Sequence, residues 1–166
     1  KTDNMKVYKE VQRFDQWWIR VLLLAVIAVA ISPLILHYDT LINSRFELMS
    51  VIISILIILT VFLVFWFLFK LETQIDEKGI SYRFYPFQRR FRFSSWADMQ
   101  QVTIRTYNPI HEYGGWGYRI SLHKKKALNI KGKIGIQIVF KNGKELLLGT
   151  QNPDAVNEMI NKYHIK

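Results

Sequence analysis

Two long stretches of the chain lack any alternation of polar and apolar residues. Residues 17–36 and 48–69 are apolar almost throughout, and Arg20 is the only charged residue in either. As helices rising about 1.5 Å per residue they would reach roughly 30 and 33 Å, the thickness of a bilayer's hydrocarbon core. The pattern predicts a transmembrane helical hairpin, 17–36 and 48–69, closed by an extracytoplasmic loop 37–47, with 1–16 as a cytoplasmic N-terminal segment. A hydrophobic hairpin inside a soluble protein is the alternative. A cleaved signal peptide would account for one stretch only, and Trp17-Trp18-Ile19-Arg20 lacks the order of regions a signal needs. Lys1 is not a start methionine, and Met5 is the candidate native start.

From Lys70 onward the period shortens to two. Leu71–Ile75 reads as a strand, and Asp76-Glu77-Lys78-Gly79 as a turn. Ile80, Tyr82, Phe84 and Pro86 alternate with polar residues, then Phe91 and Phe93, then Val102, Ile104 and Thr106. Tyr118–Leu122, Ala127–Ile130, Ile134–Phe140 and Glu145–Leu148 follow, the last two joined by Asn142-Gly143, which suits a type I′ hairpin turn. Asn152 and Pro153 open a helix over 153–163, whose apolar face is Val156, Met159, Ile160 and Tyr163. About seven strands and one amphipathic helix within 70–166 predict an α+β chain. Its cytoplasmic domain would be a pleckstrin-homology-like (PH-like) bent antiparallel sheet or barrel capped by the C-terminal helix. An immunoglobulin-like sandwich would leave the helix unexplained.

Charge orients the hairpin. Residues 1–20 hold Lys1, Lys6, Lys9, Arg13 and Arg20, whereas the loop 37–47 holds only Arg45. Lys70, Lys78, Arg83, Arg89 and Arg90 follow the second stretch closely. The excess of basic residues predicts both termini in the cytoplasm, with the chain in a bacterial inner membrane. Trp17, Trp18 and Trp66 would lie at the inner interface and Tyr38 at the outer, and Arg20 would snorkel inward as an anchor. Ala25, Ala28 and Ser32 on the first helix, and Ser50 and Ser54 on the second, have the small-xxx-small spacing of helix packing, although such residues are common in any span.

The domain itself carries 17 Lys and Arg against 8 Asp and Glu, a net of +9. Two clusters stand out: Arg89, Arg90 and Arg92, and Lys124, Lys125, Lys126, Lys131 and Lys133. Nucleic acid is the rival partner, but a leaflet of anionic lipid lies nearer to a domain joined to the membrane without a linker. Lys124, Lys125 and Lys126, on a loop between strands, are the expected main lipid contacts, with Arg89 and Arg90 second. The alternative is that these residues serve only topology and solubility.

Glu112-Tyr113-Gly114-Gly115-Trp116-Gly117 reads as a tight connection between strands, clamped by Tyr113 and Trp116. Its functional alternative is a backbone nest for an anion. The run Pro109-Ile110-His111-Glu112-Tyr113-Gly114-Gly115-Trp116-Gly117, with Gly132-Lys133-Ile134-Gly135, Leu148-Gly149-Thr150-Gln151-Asn152-Pro153 and Trp96-Ala97-Asp98, resembles a group of bacterial two-span membrane proteins with a cytoplasmic PH-like domain. The resemblance is best over 72–160. It implies architecture, since the group has no activity to carry over.

Catalytic chemistry has little support. There is no cysteine, which excludes disulfides, zinc thiolates and cysteine nucleophiles. His37, His111, His123 and His164 have no ligand-pair spacing, and Ser94 and Ser95 stand in no nucleophile motif. The expectation is a non-enzymatic membrane module without cofactor or metal. It would act as a binding module or scaffold, or alternatively as an accessory subunit packing through its hairpin. Its partners would be the bilayer, anionic headgroups, and a protein or a second copy.

Overall fold

The computed structural model describes residues 7–36, 38, 43–120 and 125–164, save the side chains of Leu34 and Phe65. The chain forms two compact units, Phe14–Leu68 and, from either side of it in sequence, Lys1–Arg13 with Phe69–Lys166.

The helical unit holds α1 (Trp17–Leu36) and α2 (Arg45–Leu68). α2 begins before the apolar run expected from residue 48. Ser44 starts it: its Oγ accepts from the Glu47 amide at 3.4 Å and its carbonyl from Leu48 at 3.1 Å. Ser44-x-x-Glu47 is a helix-start signature, so a charged first turn precedes the apolar run. α2 is long and apolar enough to cross a bilayer, and α1 carries a shorter apolar stretch, Trp17–Pro33. The helices run antiparallel, with Phe14 and Trp18 beside Val61 and Phe62, and Val29 and Pro33 beside Ser50 and Val51.

The second unit is a mixed α+β fold. Strands β1 (Tyr8–Arg13), β2 (Lys70–Ile75), β3 (Gly79–Tyr85) and β4 (Arg92–Ser95) form an antiparallel sheet in sequence order. A 3₁₀ turn, Trp96–Asp98, leads to the second sheet. Its strands are β5 (Met99–Thr106), β6 (Gly117–Ile120), β7 (Lys125–Asn129), β8 (Ile134–Phe140) and β9 (Glu145–Gly149), in the order β5-β8-β9-β7-β6. Between β5 and β6 lies a short helix, α3 (Pro109–Tyr113), and the chain closes with α4 (Pro153–Tyr163).

One bent antiparallel sheet was expected; two sheets are present, and the second is mixed. The Asn142-Gly143 hairpin lays β9 against β8, but β9 also pairs with β7 in parallel. The connection 130–133 explains this. Four extended residues reach roughly 13 Å, more than the ~9.6 Å across two strand spacings, so β9 fits between β7 and β8.

Residues 8–13, within the N-terminal segment 1–16 for which no strand was expected, form β1. Gln12 is 2% exposed and donates from Nε2 to the Gly149 carbonyl at 2.7 Å. The Glu10 carboxylate accepts from Tyr8 Oη (2.7 Å), Gln12 Nε2 (2.9 Å), Thr150 Oγ1 (2.7 Å) and the Gln151 amide (2.8 Å). β1 thereby ties the first sheet to the end of β9 in the second. Burial, and then Glu10, raise the Tyr8 phenol well above its ordinary pKa.

The core comes from one face of each element. Leu71, Ile75, Ile80 and Phe84 are fully buried in the first sheet, as are Leu128, Ile136, Ile138 and Leu148 in the second. α4 adds Val156, Met159 and Ile160 and packs on β1 and β5. Asn152 makes no side-chain cap for this helix; its amide instead donates to Thr150 Oγ1 at 3.1 Å. Gly79 is required by close approach, since a Cβ there would lie 2.0 Å from the Ser94 carbonyl oxygen.

Candidate membrane-facing site

Two connections link the sheet unit to the helical unit, after Arg13 and before Phe69. Arg13 and Lys70 are register partners, and Lys70 pairs in turn with Tyr85 on β3. Opposed Cα atoms of an antiparallel ladder stand about 4.5–5.5 Å apart, so both connections leave this unit from one corner.

The chain turns at the same corner, immediately after β3. Gln88 is 6% exposed, and its amide donates to the Phe84 carbonyl at 2.8 Å while its Oε1 accepts the Phe84 amide at 3.0 Å. Arg83 Nη1 donates to the Arg89 carbonyl at 3.2 Å. This stapling turns the polar Gln88 inward and leaves Phe87 63% exposed. The Phe87 ring lies 5.7 Å from Phe69 and 5.5 Å from Tyr118, centroid to centroid, and Phe84 backs both Phe87 and Tyr118. Lys126 Nζ stands 4.4 Å over the Tyr118 ring, Lys70 Nζ 5.9 Å over Tyr85, and Arg83 4.5 Å over Phe91. Each is a cation on an aromatic face, attracted by the ring quadrupole. Burial raises the Glu72 carboxyl, but hydrogen bonds and charge from Lys70, at 2.7 Å, and Arg83 outweigh it, so Glu72 titrates below the usual range.

This corner gathers part of the basic set expected from the sequence. Arg89 and Arg90 are exposed in the turn. Lys124 lies outside the described residues. Lys125 and Lys126 stand on strand β7 instead of a loop, and alternation sends them to opposite faces. Lys126 joins the aromatic corner, while Lys125 pairs with Glu145 at 3.4 Å on the other side. The rings of Phe69, Phe87 and Tyr118 were not anticipated. The run Phe84-Tyr85-Pro86-Phe87-Gln88-Arg89-Arg90, aromatics abutting paired arginines, is the signal that points to the turn around Phe87; Phe69 and Tyr118 have none in the sequence.

The Glu112–Gly117 motif folds inward. Its first two residues belong to α3, which a plain strand connection does not include. Asn108 Oδ1 caps that helix by accepting from Ile110 (3.1 Å) and His111 (3.2 Å), and Glu112 reaches back to the Asn108 amide at 2.8 Å. Gly114, at φ 70°, ends it in the left-handed region. Tyr113 packs on a cluster of Tyr107, Ala127 and Leu147 on the outer face of the second sheet. Trp116 Nε1 donates to the Gly132 carbonyl at 3.1 Å. The glycine amides that a nest would offer are occupied: Gly114 donates to Ile110, Gly115 to Pro109 and Gly117 to Asn129 Oδ1. Arg105 binds Glu112 at 2.7 Å and Gln137 at 3.1 Å, and the chain continues through Gln137 to Glu145. Arg105 holds Glu112 below the usual carboxylate range, and burial pushes the Tyr107 phenol up to about 12.

In the helical unit Ala25, Ser50 and Ser54 line one groove. Ser32, Ser50 and Ser54 each donate to a carbonyl of their own helix. Ala28 is exposed; the less exposed positions of α1 include Ile19, Leu23, Ile27 and Ala30. Arg20 lies 5.5 Å over Trp66. Among the described residues no three His, Asp or Glu side chains gather as a metal site; His37 and His123 lie outside them. No family model, curated protein or solved structure matches the chain.

Proposed function

We propose that this chain is a two-span membrane protein whose cytoplasmic PH-like domain acts as a non-catalytic binding or scaffolding module. One observation carries the reading. β1 precedes α1, β2 follows α2, and the two strands pair from Arg13–Lys70 to Tyr8–Ile75. If α2 crosses a bilayer, α1 must cross back for both strands to meet on one side. The basic residues flanking both helices favour the cytoplasmic side of a bacterial inner membrane. A second reading, an accessory subunit that packs through its hairpin, is favoured by the open groove of small residues at Ala25, Ser50 and Ser54.

Single cysteines in the naturally cysteine-free chain test the topology. A cysteine at Thr40 should react with an impermeant thiol reagent in intact cells, and one at Asn142 should react only after lysis. Labelling of Asn142→Cys in intact cells would reverse the orientation. Equal labelling of both sites would remove the two-span arrangement.

A further inference from the structure

We infer that the Phe69–Phe87–Tyr118–Lys126 corner docks on anionic phospholipid headgroups of the bilayer that holds α1 and α2, with Phe87 seated at headgroup depth and Lys126, Arg89 and Arg90 on the phosphates. The inference rests on the two-span reading and adds to it a binding surface and the lipid class it takes.

The turn is built inside out. A globular surface ordinarily exposes its glutamine and buries its phenylalanine. Here Gln88 is 6% exposed and hydrogen-bonded through its backbone N–H and its side-chain Oε1, and Phe87 is held out at 63%. Such an arrangement leaves a large apolar ring facing whatever covers this corner. Ile120, 70% exposed, is the register partner of Lys126 and extends the apolar surface along β6.

The covering phase follows from covalent structure and charge. Phe69, whose ring touches Phe87, is one peptide bond from the last residue of α2. Consecutive Cα atoms stand 3.8 Å apart, so the ring chain begins where a membrane-crossing helix ends. The charge at the corner is of one sign. Glu72 is neutralised by Lys70 and Arg83, and among the described residues Arg89, Arg90 and Lys126 make no ion pair. Aromatic rings beside Lys and Arg match the chemistry of an interface, apolar on one side and anionic on the other. Each basic residue near an anionic leaflet adds attraction that salt weakens.

The full chain in lipid nanodiscs tests this, with single spin labels at Phe87→Cys, Asn142→Cys on the β8–β9 turn and Ile57→Cys in α2. The reading is collision with oxygen, which partitions into lipid, against a water-soluble nickel chelate. In discs containing phosphatidylglycerol the label at 87 should show an oxygen-to-nickel ratio several-fold above that at 142. The excess should shrink in phosphatidylcholine alone and disappear when Lys126, Arg89 and Arg90 are replaced by Glu. An aqueous label at 57 would sink the two-span reading itself. A lipid-buried label at 57 with an aqueous label at 87 would overturn only the docking. Equal immersion in both lipids would overturn the anionic recognition. A label at 87 that is shielded in native membranes but aqueous in pure-lipid discs would assign the corner to a protein partner and overturn the lipid assignment.

Discussion

The turn 84–90 and the segment 107–117 are built from similar materials and present opposite faces. Each leaves the end of a strand, carries aromatic rings, and is stapled by side-chain hydrogen bonds to its own backbone. In the segment 107–117 the staples turn Tyr107 and Tyr113 inward onto Ala127 and Leu147. In the turn 84–90 they turn Gln88 inward and Phe87 outward. The first therefore completes a core, and the second spends its rigidity on keeping a ring exposed. The conspicuous glycine–aromatic motif thus packs against the sheet, while an ordinary-looking turn leaves a large ring exposed.

The largest effect should come from emptying the inward segment. Tyr107→Ala removes a 3%-exposed ring and should cost about 3–5 kcal/mol of stability. Phe87→Ser should change stability by no more than about 0.5 kcal/mol. Denaturant unfolding of the detergent-solubilised chain compares the two, and equal losses would erase the distinction drawn between the segments.

An intermediate effect is expected at the outward staple. Gln88→Ala leaves the buried Phe84 amide without its side-chain acceptor and should cost about 1–3 kcal/mol. It should also loosen the turn, visible as faster motion of a spin label at Phe87→Cys. A loss of stability without added motion would mean that Gln88 fills space and does not hold the ring.

The smallest effect concerns the ion pair that fastens α3. Arg105 depresses the Glu112 pKa, so the pair contributes stability above the unfolded carboxyl value of about 4.3 and loses it as the pH falls through the lower folded value. Both partners are partly exposed, so Glu112→Gln should cost less than about 1 kcal/mol at neutral pH. The variant's stability should also fall less steeply below pH 4.5 than the parent's. Parallel pH profiles would show that the pair has no share in the acid sensitivity.

Where side chains follow their period, the elements were readable. The apolar run 17–36 is α1, and Val156, Met159 and Ile160 mark α4. β1 was not readable, because its inward face is Tyr8, Glu10 and Gln12 while Val11 points out at 57% exposure. Its hydrophobic alternation is inverted, since that face meets hydrogen-bonding groups at Gly149, Thr150 and Gln151 and not an apolar layer. α3 carries the same Asn-Pro start as α4, but five residues are too few to show a helical period. The run Phe84–Arg90 marks an aromatic and basic turn, but nothing in it says that the Phe87 ring, and not Gln88, points outward. The split of Lys125 from Lys126 depended on where β7 begins, and strand boundaries are weakly marked in sequence.

β1 also sets an order on the birth of the protein. Its partner β2 is separated from it by residues 14–69, so the first strand leaves the ribosome well before the second exists. At about 5–20 residues per second those 56 residues take roughly 3–11 seconds to make. During that interval the strand must wait unpaired, and its charged Lys9, Glu10 and Arg13 discourage premature pairing with another chain. Gln12 and Glu10 cannot reach Gly149 and Thr150 until those residues too have been translated. Completion of the sheet thus follows synthesis of both helices, and a chain arrested within its hairpin exposes an unmatched strand ahead of the first helix.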